Sequence, residues 1–146
     1  MQVRDLLDLK HREVVTVDPD ATVDAAMELL LHHKISCLPT VDSDGELQGI
    51  LSDKDIFRAA YEFNTHFKEM SVGDLMSTDL IVGVLDDEIE YIAAVMTNNR
   101  IRHVPIVDNN RLIGLVSLGD IVKAQLRDLQ VTNRYLQLYI EGNYPG

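Results

Sequence analysis

Two short motifs combine a hydroxyl and a carboxylate at the same spacing. Ser52 is followed three residues later by Asp55, and Ser117 is followed three residues later by Asp120. Each pair lies where an apolar run gives way to a helical pattern, so each motif could cap a helix. The same position could bind a ligand, because a helix N-terminus presents free N–H groups and a carboxylate can accept both hydroxyls of a ribose. The residues alone favour the cap.

Both motifs belong to an internal repeat. Residues 35–42 return 66 positions later as residues 101–108, and residues 49–56 return 65 positions later as residues 114–121. Such a repeat determines the architecture, because a unit that cannot bury its own apolar face buries it against its twin. The interface between the twins is then two-fold, and its clefts come in pairs.

Each repeat is predicted to fold in the order strand, helix, strand, turn, strand, helix. The apolar spacing predicts helices from about Thr22 and Ser52 in the first repeat, and from about Asp86 and Ser117 in the second. Residues 64–71 are the predicted linker. Six apolar or β-branched runs are predicted strands: residues 14–17, 38–41, 47–51, 80–85, 104–107 and 112–116.

Composition restricts the class of protein. The 146 residues are 46% apolar and carry a formal charge of −11, which argues against binding to nucleic acid or an anionic membrane. Cys37 is the single cysteine, so no internal disulfide is possible and the cytoplasm is the expected location. We recognise no signal segment, and no run approaches the roughly 18 apolar residues of a membrane span.

The repeats resemble a tandem pair of cystathionine-β-synthase (CBS) domains, a Bateman module of the stand-alone bacterial type. The resemblance rests on two strands that start with Pro and end in Val-Asp, each followed by Gly-apolar-apolar-Ser-x-x-Asp. It implies an α/β (α+β) fold, with two β-α-β-β-α repeats packed about a pseudo-two-fold axis. The implied divisions are repeat 1 with its lead-in at 1–63, repeat 2 at 72–125, and a C-terminal amphipathic helix and tail at 126–146.

The resemblance also implies a function. Clefts in such modules bind adenosine ligands, so we expect a regulatory module that binds AMP, ADP or ATP, with S-adenosylmethionine and NAD ranked behind them. With the resemblance, ribose binding by Asp120 becomes the favoured interpretation over capping. No catalytic residue, metal site or cofactor is expected.

The resemblance places the principal nucleotide site at the second motif. Thr16 is expected to contact ribose or phosphate, and the backbone near Ile35 to read the adenine. Arg102 can bind phosphate oxygens through its two-pronged guanidinium, with His103 as a further donor. The expected lining of this site is Thr16, Ile35, Ser36, Cys37, Arg102, His103, Ser117 and Asp120.

The first motif is expected to read a weaker second cleft. When the two repeats are aligned, Gly83 takes the place of Thr16, so this cleft lacks that hydroxyl. Ser36 and Cys37 take the places of Arg102 and His103, so it also lacks the expected phosphate donors. The expected residues of this cleft are Ser52, Asp55, Gly83 and Ile101.

Partners and an alternative function complete the expectations. A homodimer and an unidentified effector protein are expected, because a module of this kind acts by biasing a partner's state. The amphipathic segment 122–140 either packs on its own domain or forms a dimer contact. The alternative function is a ligand-free structural or adaptor dimer in which both Ser-x-x-Asp motifs are only caps.

Overall fold

The computed structural model describes residues 1–142, and residues 143–146, the end of the predicted tail, lie outside the described part. It confirms the mixed α+β class. The elements in chain order are α1 (Val3–Lys10), α2 (Val23–His33), β1 (Cys37–Val41), β2 (Leu47–Ser52), α3 (Asp53–Phe63), a 3-10 helix (Asn64–Glu69), α4 (Val72–Leu75), α5 (Ile89–Asn99), β3 (His103–Asp108), β4 (Arg111–Ser117) and α6 (Leu118–Ile140).

Each repeat contains one antiparallel hairpin. β1 pairs with β2 and β3 pairs with β4, and the register shifts at equivalent positions, after Thr40 and after Ile106. The predicted opening strands at 14–17 and 80–85 are wrong: each is reduced to one parallel bridge, Val17 to Thr40 and Gly83 to Ile106. In each repeat only one residue of the predicted opening strand pairs with the hairpin, because the chain then turns away from it. In the first repeat this turn follows Val17, at Asp18 and Pro19.

The lead-in segments are exchanged between the two cores. Val3 and Leu6 of α1 are buried in the core of the second repeat, against α5 and the β3–β4 hairpin. Val72 of α4 is buried in the core of the first repeat. Because each core needs a helix from outside its own repeat, the two repeats stabilise one another.

The two lead-ins differ in length. α1 has 8 residues, whereas α4 has 4. The extra turn of α1 carries Lys10 to the start of α6, with which α1 packs. This difference makes the two clefts unequal, as described below.

Helix α6 joins the second repeat to the tail without a break. It runs for 23 residues from a cap at Ser117, so the predicted last helix and the predicted amphipathic tail form one helix. None of the helices in residues 1–142 has the length and apolar character that spanning a bilayer requires.

Candidate functional site

Both Ser-x-x-Asp motifs form complete capping boxes. The backbone N–H of Asp55 donates to Oγ of Ser52 at 3.2 Å, and the N–H of Ser52 donates to Oδ2 of Asp55 at 2.9 Å. Ser117 and Asp120 repeat this arrangement at 3.1 and 2.9 Å. The capping hydrogen bonds use one oxygen of each carboxylate, so capping and ligand binding do not exclude each other.

An open cavity of about 380 Å³ lies between the repeats at Asp55, and we call it the Asp55 cleft. This volume is in the range of small-molecule binding sites. The lining residues are Ser36, Cys37, Ile50, Ser52, Asp53, Lys54, Asp55, Ser77, Asp79, Leu80, Ile81, Arg100, Ile101, Arg102 and His103.

The cations that line the Asp55 cleft come from both repeats. Lys54 belongs to the first repeat, and Arg100 and Arg102 precede β3 of the second. Arg102 and His103, which were expected to serve the second motif, thus line the cleft of the first motif. Arg102 and His103 reach it because the segment before β3 closes the far side of the cavity, so they face the first motif.

Asp55 is well placed to accept hydrogen bonds from a ligand. The residue is buried, lines the cavity and keeps Oδ2 in its capping box. Within residues 1–142 the cation nearest to Oδ1 is the guanidinium of Arg58, at 3.9 Å. Oδ1 is therefore available to a hydroxyl donor.

Asp120 has a closer charged neighbour than Asp55. The ammonium of Lys10 lies 2.7 Å from Oδ2 of Asp120, and both side chains are largely buried. The same ammonium donates to the backbone carbonyl of Leu115 at 2.7 Å. In the first repeat the position of Leu115 is taken by Ile50, whose backbone pairs with Ser77 instead. A side chain from α1 thus contacts Oδ2 of the carboxylate that was expected to bind ribose.

The pKa of Asp120 reflects this contact. Burial alone would raise the pKa, but hydrogen bonds from Lys10 and Ser117 outweigh it and hold the pKa below its ordinary value. Asp120 is therefore ionised at neutral pH, with Lys10 as its counterion.

Asp120 lines a different space from Asp55. This space, the α1–α6 groove, has a volume of about 550 Å³. Its lining residues are Leu6, Leu9, Lys10, Arg12, Asp120, Lys123, Ala124, Leu126, Arg127 and Gln130.

His103 and Cys37 lie between the two Ser-x-x-Asp motifs. Burial, reinforced by Lys10 and Arg102, lowers the pKa of His103 against the opposing effects of Asp120 and Asp53. The imidazole is therefore neutral at pH 7 and offers hydrogen bonds rather than charge. Burial, with Asp53, raises the pKa of the Cys37 thiol to about 12, so this side chain is an inert part of the wall.

The remaining predicted residues do not line either space. Thr16 precedes the bridging residue Val17, and the bridges make Val17 the counterpart of Gly83. The alignment of Gly83 with Thr16 is thus one residue out. A Cβ at Gly83 would lie 2.9 Å from Ile92 and Ile106, so this glycine faces the second core rather than the cleft. Ile35 packs against the first core.

The structure therefore divides the predicted principal site between two places. Ser36, Cys37, Arg102 and His103 join Ser52, Asp55 and Ile101 around the Asp55 cleft. Asp120 instead contacts Lys10 of α1, and Ser117 caps α6 beside it. Sequence reasoning missed Arg100, which has no family motif to mark it. It also missed Lys10. The segment between lead-in and opening bridge is three residues longer in the first repeat than in the second, and this difference could have indicated a longer α1.

Comparison with known proteins identifies the repeats. Residues 3–62 and 72–127 each match the CBS domain family. The CBS domain-containing protein YhcV of Bacillus subtilis (strain 168) is 34% identical over 120 residues, which cover 82% of this chain and 84% of that protein. The structure of the CBS-domain containing protein ATU1752 from Agrobacterium tumefaciens superposes with a TM-score of 0.80 at 36% identity, covering 86% of this chain and 99% of that one.

Two further similar structures contain adenosine ligands. CBSX2 in complex with AMP has a TM-score of 0.73 at 29% identity, covering 86% of this chain and 96% of that one. The CBS domain pair of protein MJ0100, in complex with 5-methylthioadenosine and S-adenosyl-L-methionine, has a TM-score of 0.77 at 26% identity. That match covers 88% of this chain and 98% of the other.

Proposed function

The chain belongs to the CBS domain family, and we propose that it is a regulatory module that binds an adenosine nucleotide in the Asp55 cleft. The observation that carries the proposal is a cavity of about 380 Å³ that combines the Asp55 carboxylate with two arginines from the other repeat. AMP in CBSX2 and S-adenosyl-L-methionine in the MJ0100 pair support adenosine as the ligand class. A regulatory role, rather than a catalytic one, is part of the proposal.

Ribose binding is assigned to Asp55. Its Oδ1 can accept a ribose hydroxyl while Oδ2 keeps the capping hydrogen bond from Ser52. The first turn of α3 contributes its positive dipole end beside the same carboxylate.

Phosphate and adenine binding are assigned to the second repeat. Arg100 and Arg102 supply forked donors for phosphate oxygens, and the neutral imidazole of His103 supplies another hydrogen bond. The apolar side chains of Leu80, Ile81 and Ile101 in the cavity wall can pack on the adenine ring. Because this ligand would bridge both repeats, binding would favour one relative arrangement of them and so transmit a signal to a partner protein.

The test uses the internal symmetry of the chain. Asp55→Ala and Asp120→Ala each remove the carboxylate of a capping box, at a cost of about 1 kcal/mol in stability. Asp120→Ala also removes the counterion of Lys10 and should cost more. Isothermal titration with AMP, ATP and S-adenosylmethionine should show saturable binding that Asp55→Ala reduces at least about tenfold and Asp120→Ala leaves intact.

Each other outcome has a definite meaning. Loss of binding in Asp120→Ala alone would return the site to the second motif. Folded protein, free of co-purified ligand, that gives no heat with any of the three would favour the ligand-free adaptor dimer.

Self-association is the second part of the proposal, and an exposed apolar surface supports it. Phe57 and Tyr61 on α3 are 79% and 84% exposed, and Leu129 and Leu136 on α6 are 54% and 50% exposed. Exposed large apolar side chains concentrated on two helices mark an interaction surface. We assign the surface to a second copy of the chain, which would also serve the adaptor alternative.

A further inference from the structure

The α1–α6 groove has a charge unlike that of the rest of the molecule. The chain carries 24 acidic and 13 Lys or Arg side chains. Four of those cations, Lys10, Arg12, Lys123 and Arg127, line this one groove, and Asp120 is the sole carboxylate in its lining. The surroundings are acidic overall, so this concentration of cations needs a local reason.

Most of this positive charge has no internal counterion. Lys10 pairs with Asp120 at 2.7 Å. Within residues 1–142, Arg12, Lys123 and Arg127 form no ion pair. Lys123 and Arg127 are also separated by four residues on one helix, a spacing at which like charges repel and destabilise the helix. A bound anion would remove this repulsion.

The chemistry of the groove selects the kind of anion. Two arginines and a lysine can together neutralise a multivalent anion, and the arginine forks match the oxygens of a phosphate. Leucine side chains form part of the lining, so the groove is not simply a solvated basic face. The volume of about 550 Å³ is ample for one or two phosphate groups.

We propose that the α1–α6 groove is a second ligand site that binds a phosphate or pyrophosphate group through Arg12, Lys123 and Arg127. The site is separate from the Asp55 cleft, since the two share no lining residue. The phosphate could be a free inorganic anion or the polyphosphate chain of a nucleotide, and both present the same oxygens to the groove.

Inorganic pyrophosphate is the probe that tests the site. Titration of the full chain with pyrophosphate, at constant ionic strength, should show saturable binding. Arg127→Glu and Lys123→Glu should each weaken it by about tenfold or more, the effect of losing one charge-assisted hydrogen bond. Arg127→Lys should recover part of the affinity. The matched control is Arg134→Glu, an equal charge change at an exposed position of the same helix outside the groove.

Parallel titrations separate the two phosphate sources. Adenosine should not bind the groove, so Arg127→Glu should leave its titration unchanged. If Arg127→Glu loses both ATP binding and pyrophosphate binding, the groove binds the polyphosphate chain of a nucleotide. If Arg127→Glu loses pyrophosphate binding and keeps ATP binding, the groove binds the free anion.

Two results would overturn the proposal. One is pyrophosphate binding that is absent from the folded protein or that Arg127→Glu leaves intact, since the arginines of the Asp55 cleft could account for the latter. The other is an equal loss of affinity in Arg134→Glu and Arg127→Glu, which would reduce the effect to overall charge. Helical circular dichroism of each variant establishes that a loss is not due to unfolding. Asp55→Ala should keep pyrophosphate binding, so failure of the nucleotide proposal and failure of this one give different results.

Discussion

Asp55 and Asp120 occupy the same position of the same motif, but they have different electrostatic neighbours. The nearest cation to Asp55 is Arg58 at 3.9 Å, whereas Lys10 approaches Asp120 to 2.7 Å from a largely buried position. The Lys10 ammonium and the capping N–H of Ser117 both contact Oδ2 of Asp120, so the remaining oxygen, Oδ1, accepts hydrogen bonds from a carboxylate whose charge is already neutralised. The motif therefore determines where a carboxylate lies, and its neighbours determine how strongly that carboxylate accepts a ligand hydroxyl.

Removal of the Lys10 ammonium should make the second motif available. We predict that Lys10→Met raises the stoichiometry of nucleotide binding from one to two per chain, because Asp120 without its counterion becomes a stronger acceptor at a helix N-terminus. Isothermal titration with AMP measures this directly. Lys68→Met, which removes an exposed cation that lines neither the Asp55 cleft nor the α1–α6 groove, is the control and should keep a stoichiometry of one. Weaker binding in Lys10→Met would instead make Lys10 a ligand contact.

His103 gives the protein a predicted dependence on pH. Its pKa is lowered in the folded state, chiefly by burial, so between its ordinary pKa of 6.5 and the lower folded value the unfolded chain binds a proton that the folded chain does not. Stability should therefore fall as pH decreases through this window. Urea unfolding from about pH 7 to about pH 5 should show a steeper loss for the wild type than for His103→Asn. Equal slopes would contradict the buried, neutral imidazole.

At the scale of elements, the glycines of β2 and β4 are required by the lead-in segments that cross them. A Cβ at Gly49 would lie 2.7 Å from Sδ of Met76 and 2.8 Å from the backbone oxygen of Ser77. A Cβ at Gly114 would lie 2.7 Å from Cδ1 of Leu7, the end of a flexible side chain. The first contact cannot be relieved without moving backbone, and the second can.

This difference predicts unequal costs for the same substitution. Gly49→Ala should lower the free energy of unfolding by about 1 to 3 kcal/mol, as overpacking does, and Gly114→Ala should lower it by less. Chemical denaturation of the two variants beside the wild type measures both. A cost for Gly114→Ala equal to or above that of Gly49→Ala would contradict the packing of the lead-ins.

Sequence reasoning found the elements with a strong local pattern and missed relations between distant segments. Both hairpins, the capping boxes at Ser52 and Ser117 and the repeat itself follow from local residue types and spacing. The prediction of the opening strands failed because an apolar run indicates burial but does not specify how many of its residues pair with a neighbouring strand. The pairing of Lys10 with Asp120 joins residues 110 positions apart, and only the length of α1 in three dimensions brings them together.

At the scale of the whole molecule, the exchanged lead-ins make the two repeats one folding unit. Val3 belongs to the core of the second repeat and Val72 to that of the first, so neither core is complete without the other. A ligand in the Asp55 cleft would therefore act on both repeats at once, because its lining residues come from each. A partner protein would have to detect ligand binding through a contact surface of the module. The exposed apolar side chains on α3 and α6 are a candidate for that surface.

The homodimer prediction concerns this surface. Phe57→Glu places a charge at a side chain that is 79% exposed in the single chain, and we predict that it converts a dimer to a monomer while the fold is retained. Sedimentation equilibrium measures the mass, and the comparison is Ile113→Glu, the same charge change at a 42% exposed apolar residue on β4. If both variants stay dimeric, the interface lies elsewhere on the molecule. If the wild type is itself a monomer, the homodimer proposal is wrong. The charge of −11 on each copy opposes self-association, and apolar burial would then be too small to overcome that repulsion.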